Sequence, residues 1–349
     1  MAAMGGTNEI RLVTTGTRGD AAPFIAYARQ LMDAGQAVVL LSNADHAALA
    51  ARHGVPFEAV CAPDWPQYGR DEAAFFEQVV MPGYRAVFDS IAVAPVTARI
   101  IARTGNWGAQ FAAERLGLPF SRIALQPCAI RREGHPVSRR EIELLNGFRA
   151  DIGLPLLDDS GAVPETWQDT VCFFPKWFGM PQSDWRESGR CAGFVYLDDA
   201  RYRPDAELET FLAAKPPVVV SLGSGMQHVH PFLEAAEATA ERLGLPVLLL
   251  SGFTDGWSPP PDILVRPHAD HGYLLPRARL ILHNGGIGTV AQAIRARIPQ
   301  IVVPLMWDQP DNAARVQKLG LGVHVSPCDD MADKLVAVIS CLLAAVEPS

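Results

Sequence analysis

The chain has 349 residues, of which 49% are hydrophobic and 19% charged, and a formal net charge of −8. At roughly 150 residues per domain this length predicts two domains, each able to bury its own core. Acidic and basic residues are mixed, and no Lys/Arg-rich run is present to track a nucleic-acid backbone, so a nucleic-acid partner is excluded.

Six cysteines occur, Cys61, Cys128, Cys172, Cys191, Cys328 and Cys341, with no C-x-x-C pair. This argues against a zinc ribbon, a redox dithiol motif and a disulfide framework, and fits reduced thiols. The start, MAAMGGTNEIRLV, lacks an apolar h-region, and the longest apolar runs are strand-sized. The expectation is a cytoplasmic protein whose only membrane association would be peripheral.

Ile10–Thr15 reads as a buried strand. After TGTRGD (Thr15–Asp20), Pro23 opens a helical pattern with Phe24, Tyr27, Ala28 and Leu31 on one face. Val38–Leu41 and Phe57–Val60 read as strands flanking a helix at Ala44–Arg52. This βαβαβ order predicts a Rossmann-like domain with a parallel sheet. Ala62–Pro95 predicts one or two helices with loops, Arg99–Arg103 a strand, Trp107–Leu116 a helix and Ser121–Leu125 a strand. Asn146–Leu156 reads as a short helix. The aromatic FFPKWFGMPQSDW (Phe173–Trp185) closes the first domain, and Gly193–Pro204 reads as a linker.

The alternation then restarts. Strands are predicted at Val218–Leu222, Val247–Leu250, Ile263–Val265, Leu280–His283, Ile301–Val303 and Val323–Val325. Helices are predicted at Pro231–Leu243, Gly288–Arg297, Asp311–Leu319 and Met331–Ala345, with a helical turn at Tyr273–Pro276. The domains expected are 1–195, a linker over 196–210, and 211–349, two doubly wound halves with a ligand cleft between them.

Leu280–Val316 (LILHNGGIGTVAQAIRARIPQIVVPLMWDQPDNAARV) carries the most specific signal. A strand ends at His283, a loop holds Gly285, Gly286 and Gly288, and Thr289 begins a helix. Glycines admit a ligand close to the backbone, and a helix start turns free N–H groups and a positive dipole end toward it, so a diphosphate suits the place. A tight strand-to-helix turn needing glycine for its own sake is the competing reading. The order G-G-x-G-T departs from both the Rossmann fingerprint and the P-loop.

Taken with WDQPDNA (Trp307–Ala313), the segment resembles the nucleotide-sugar signature of family-1 glycosyltransferases of the GT-B type. The bacterial rhamnosyltransferase, sterol glucosyltransferase and glycopeptide-antibiotic glycosyltransferase branches are the nearest in pattern. Thr15–Asn43 looks like that group's first βαβ unit, and VVVSLGSG (Val218–Gly225) like the first loop of its donor domain. The fold so implied is α/β, GT-B, with two Rossmann-like parallel-sheet domains facing across a cleft. One departure is that only about one helix follows Val325, where relatives usually continue.

The resemblance implies that Ser224, His283, Gly285, Gly286, Gly288 and Thr289 hold the donor diphosphate, with His283 donating to a phosphate oxygen. Trp307, Asp308 and Gln309 would contact the donor sugar, and Arg266, Pro267 and His268 would lie in the nucleobase region. Many relatives place a His base after the first strand; here Asp20 matches the base of the R-G-D branch. The competing reading is that Asp20 caps the helix opened by Pro23. No carboxylate pattern for bridging a metal to a diphosphate is visible, so neither a metal nor a cofactor is expected, only a nucleotide-sugar co-substrate. The implied activity is inverting transfer of a hexose or deoxyhexose from a UDP- or dTDP-sugar to a small apolar or lipid-like acceptor. A sugar-nucleotide epimerase of the same architecture and a non-catalytic nucleotide-sugar-binding homologue remain open alternatives.

Overall fold

The computed structural model describes residues 9–61, 72–94, 99–130, 138–157, 170–179, 190–223, 230–254 and 256–346. The chain divides into two compact units, Met1–Leu197 and Asp198–Ser349.

The first unit carries strands β1 (Glu9–Val13), β2 (Ala37–Asn43), β3 (Phe57–Cys61), β4 (Arg99–Arg103), β5 (Phe120–Ala124), β6 (Thr170–Cys172) and β7 (Arg190–Cys191). They form one sheet in the order β3-β2-β1-β4-β5-β6-β7, every pairing parallel. Helices α1 (Arg18–Asp33), α2 (Ala47–Arg52), α3 (Glu72–Phe75), α4 (Met81–Val93), α5 (Trp107–Leu116), α6 (Arg139–Asp151) and α7 (Lys176–Gly179) accompany it, with a π-helical turn at Phe76–Val80. Strands covered on both faces need apolar runs rather than alternation. Leu12, Val13, Leu40, Leu41, Ile100 and Ala102 are accordingly buried.

The helix expected from Pro23 begins five residues earlier, at Arg18, and Pro23 lies inside it. Asp20, third residue of the helix, reaches back to Thr17 in a capping box, which supplies the start signal independently of the proline. The short helix expected at Asn146 likewise begins at Arg139, where Ser138 accepts from the Glu141 N–H and Glu141 accepts from the Ser138 N–H.

The second unit repeats the plan. Strands β8 (Val218–Ser221), β9 (Val247–Leu250), β10 (Ile263–Arg266), β11 (Leu280–His283), β12 (Gln300–Val302) and β13 (Val323–His324) pair in parallel as β10-β9-β8-β11-β12-β13. Its helices are α8 (Ala206–Ala214), α9 (His230–Leu243), α10 (His271–Leu274), α11 (Ile287–Ala296), α12 (Gln309–Lys318) and α13 (Met331–Val346). On α13, Met331, Leu335 and Ile339 recur every fourth residue and join Phe232, Ala236 and Ala240 of α9 in one buried cluster. Each large side chain so buried contributes about 1.5–3 kcal/mol before entropy is counted.

In each sheet the strand order reverses beside the first strand of the unit, at β1 and at β8. Ligands of open parallel sheets bind outside the carboxyl ends of strands at such a reversal. Among the described residues no helix is long and apolar enough to cross a membrane.

Candidate active site

In the first unit the loop after β1 brings Gly16, Thr17 and Asp20 to the reversal point. Asp20 Oδ2 accepts from the Thr17 N–H at 2.8 Å and from the Thr17 hydroxyl at 3.0 Å. Asp20 Oδ1 accepts from Arg103 Nη1 at 3.0 Å, from the end of neighbouring β4. The carboxylate lies over Gly16: a Cβ there would come within 2.5 Å of Oδ2, and Gly16 has φ +135°. Asn43, at the end of β2, donates to the Gly16 carbonyl at 2.7 Å and holds the loop from the other side. The capping and base readings of Asp20 are therefore not exclusive: Oδ2 serves the helix start, while Oδ1 keeps acceptor capacity and the side chain stays 19% exposed.

In the second unit the loop after β11 is built on three supports. Gly285 has φ +93°, and a Cβ on it would stand 2.8 Å from Val302 Cγ1. Only glycine fits there without displacement. Asn312 of α12 is wholly buried and donates to the Gly285 carbonyl at 2.9 Å and to Asp308 Oδ2 at 2.7 Å. Gln309 Oε1 accepts from the N–H groups of Leu305 and Met306 at 2.8 and 3.1 Å. Helix α11 then starts at Ile287 with Gly286 as its N-cap and no side-chain cap. Orphan N–H groups of a first turn need a partner, and an anion is the natural one. Gly288 and Thr289 lie in that turn and are half-buried.

His283 needs a correction. Its ring is wholly buried; Nδ1 accepts from the Gly285 N–H at 3.1 Å, and Nε2 faces Gln300 Oε1 at 3.1 Å. The first bond requires an unprotonated Nδ1, so Nε2 carries the hydrogen and donates to Gln300. Burial, assisted by the charge of His271 and opposed by the Gln300 bond, lowers its pKa to about 4. Both ring nitrogens are engaged within the protein, so the ring shapes the loop rather than donating to a phosphate as expected.

Arg266, expected in the nucleobase region, is held by an acidic pair. Its guanidinium is engaged by both Asp205 oxygens at 2.9 Å and by Glu207 at 2.6 Å, next to the start of α8. That pairing, led by the Arg266 hydrogen bonds, holds the Asp205 carboxyl down to about 2. Pro267 and His268 beside it are exposed. Trp307 is 52% exposed with φ +55°, an uncommon backbone for a bulky residue. Ser224 lies outside the described residues.

Known proteins resemble this chain in sequence and in fold. Residues 258–346 match the family model "Erythromycin biosynthesis protein CIII-like, C-terminal domain". The O-mycaminosyltylonolide 6-deoxyallosyltransferase of Streptomyces fradiae is 34% identical over 203 residues, 55% of this chain and 46% of that protein. The vancomycin aglycone glucosyltransferase of Amycolatopsis orientalis is 29% identical over 373 residues, covering 96% of this chain and 90% of that protein. The crystal structure of the glycotransferase of kitacinnamycin shares the fold, with TM-score 0.76 at 18% identity over 98% of this chain and 91% of that one.

The chain has the two-sheet GT-B fold and resembles family-1 glycosyltransferases in sequence. The structure brings His283, Gly285, Gly286, Gly288 and Thr289 to one loop, with Trp307, Asp308 and Gln309 on the adjoining turn, and sets Arg266 in an ion-pair cluster of its own. Three residues that sequence reasoning left unassigned complete the arrangement: Asn312, Gln300 and Arg103. Asn312 had a signal, since it is the Asn of the D-Q-x-x-N-A pattern. Gln300 and Arg103 had none.

Proposed function

We propose that this chain is a glycosyltransferase that moves a hexose or deoxyhexose from a UDP- or dTDP-sugar to a hydroxyl of a small apolar or lipid-like acceptor, with inversion and without a metal. The observation that carries the reading is the α11 N-terminus, uncapped by any side chain and reached through a loop that only glycine at 285 allows. First-turn N–H groups and the helix dipole oppose the negative charge that grows on a departing nucleoside diphosphate, the work a metal does elsewhere.

In the proposed step the acceptor oxygen attacks the anomeric carbon and gives its proton to Asp20 Oδ1. The bond from that carbon to the diphosphate oxygen breaks, and the nucleoside diphosphate leaves carrying the electron pair. Asp308 and Gln309 would hold sugar hydroxyls, with Trp307 beside the ring. Asp308 Oδ2 accepts from Asn312, which fixes the carboxylate on this turn. An apolar acceptor is supported by Trp177 of the first unit, 46% exposed and packed edge-on against Phe178 and Phe194.

A thermal-shift panel of UDP, dTDP, GDP, their glucose conjugates and NAD(P) tests the donor class. A ligand present at 100 times its Kd stabilises the folded state by about 2.7 kcal/mol. Stabilisation by UDP or dTDP is expected, and stabilisation by NAD(P) alone would overturn the reading. Turnover that collapses in EDTA and returns with a divalent cation would overturn the metal-independent step.

A further inference from the structure

Two thiols that the proposed chemistry does not use stand at neighbouring positions of the first sheet. Cys172 ends β6, Cys191 ends β7, and the parallel register pairs them directly. The Ala192 N–H donates to the Cys172 carbonyl at 2.9 Å, which fixes that register just beyond the pair. Paired residues of adjacent strands project their side chains from the same face, about 4.8 Å apart. Disulfides bridge Cα separations of about 4.4–6.8 Å. Both sulfurs are free thiols here.

The pair is chemically asymmetric. Cys172 is wholly buried, whereas Cys191 is half-exposed on β7, the last strand of the sheet. Burial first, and then the neighbouring Cys191, push the Cys172 thiol up to about 12, so it keeps its proton. Burial raises Cys191 as well, and a hydrogen bond from Cys172 and the charge of Lys176 offset only part of that rise. Of the pair, only Cys191 is accessible to an oxidant from solvent, so Cys191 is the sulfur that attacks and the buried Cys172 the one that resolves.

We propose that Cys172 and Cys191 are a redox dithiol that closes to a disulfide with a low-molecular-weight disulfide such as oxidised glutathione. The Cys191 thiolate attacks one sulfur of the oxidant, whose S–S bond breaks and releases one glutathione thiolate. Cys172 then attacks Cys191 Sγ, the bond from Cys191 to glutathione breaks, and the second glutathione departs with the Cys172 proton. Two protein thiols are oxidised by two electrons, and one oxidised glutathione becomes two reduced molecules. The pairing comes from sheet register across 18 intervening residues, so no C-x-x-C spacing announces it. The closed bond would tie together both ends of the segment that carries Trp177 and Phe178, the aromatic pair on which the apolar acceptor was argued.

The test incubates the full chain with oxidised glutathione, blocks free thiols with N-ethylmaleimide, and maps tryptic peptides without reduction. The expected product joins peptide 150–176 to peptide 191–201, lighter than their sum by two hydrogens. Cys172→Ser should stop at a glutathione adduct on Cys191, and Cys191→Ser should leave Cys172 unmodified. Cys128, Cys328 and Cys341 are exposed and report that the oxidant acted. Glutathione on those three with Cys172 and Cys191 both recovered as free thiols would overturn the proposal. So would Cys191 held only as an adduct in the unaltered chain.

Discussion

Arg103 and Asp20 are 83 residues apart in sequence, yet Arg103 Nη1 stands 3.0 Å from Asp20 Oδ1. A carboxylate offers about four lone-pair positions. Thr17 fills two on Oδ2 and Arg103 one on Oδ1, so the remaining position lies on the oxygen next to the guanidinium. A hydroxyl that gives its proton to Asp20 does so beside Arg103.

Asp20→Asn removes the proton acceptor while keeping the shape. General-base catalysis contributes about 100- to 10,000-fold. Turnover in this variant should fall by about that factor, with the thermal shift given by UDP or dTDP unchanged. Undiminished turnover would remove Asp20 from the chemistry and leave it as a capping residue alone.

Arg103→Met should lower kcat by roughly 10- to 100-fold, since a small displacement of a reacting group carries a cost of that order. The KM for the donor should stay the same, because Arg103 belongs to the first unit and the proposed diphosphate loop to the second. Arg103→Lys, which restores a cation to Asp20, should recover part of the loss. A change confined to donor KM contradicts this role.

Gly285→Ala introduces a Cβ 2.8 Å from Val302 Cγ1 at a backbone φ of +93°. Strain of this kind costs of order 1–3 kcal/mol. The urea midpoint should fall accordingly, and the nucleotide-induced shift should shrink even at temperatures where the variant is folded. Unchanged nucleotide affinity would separate this loop from the donor.

Asn312→Ala leaves the Gly285 carbonyl and Asp308 Oδ2 without their shared donor. An orphaned buried polar group costs about 1–3 kcal/mol. Stability should drop by that order, and donor binding should weaken further than in Asp311→Ala, a change on the same helix whose side chain pairs with Arg315 instead. Equal donor affinity in the two variants would refute the linking role.

His283 makes the second unit sensitive to acid. Its pKa is about 4 in the folded chain against 6.5 ordinarily. Above about pH 6.5 both states are neutral and the group has no effect. Between about 6.5 and about 4 the unfolded chain takes up the proton and the folded chain does not, so stability falls with pH, by roughly 3 kcal/mol at most. His46, buried and lowered chiefly by desolvation, adds a loss of the same sign. Urea midpoints measured from about pH 8 to about pH 4 should show the decline, and His283→Gln should flatten part of it. Identical pH profiles for the two proteins would contradict the buried neutral ring.

Much of this architecture is legible in the residues. β4 and α5 fall where read, at Arg99–Arg103 and Trp107–Leu116, because an unbroken apolar run and an Asn106 cap leave little choice. The glycine at 285 is legible for a similar reason: a backbone that must take positive φ against Val302 demands glycine. The early starts of α1 and α6 were written in Thr17–Asp20 and Ser138–Glu141, signals weaker to the eye than a proline or an apolar stripe. β6 and β7, three and two residues long, carry too little pattern to be read as strands. The engagement of His283 by Gln300, of Asp20 by Arg103 and of Arg266 by Asp205 depends on which strands and helices become neighbours. Those pairings arise only when the chain closes over 17, 83 and 61 residues respectively.

The double grip of Asn312 has a bearing on chimaeras. It fastens the turn that follows β11 to the turn that precedes α12, so the two are mechanically one part. Exchanging only Leu305–Gln309 with a relative, to alter which sugar is carried, would graft a new surface onto a foreign support. Transplanting Leu280–Val316 whole carries the bolt together with both pieces it joins, and is the smaller disturbance despite being the longer insert.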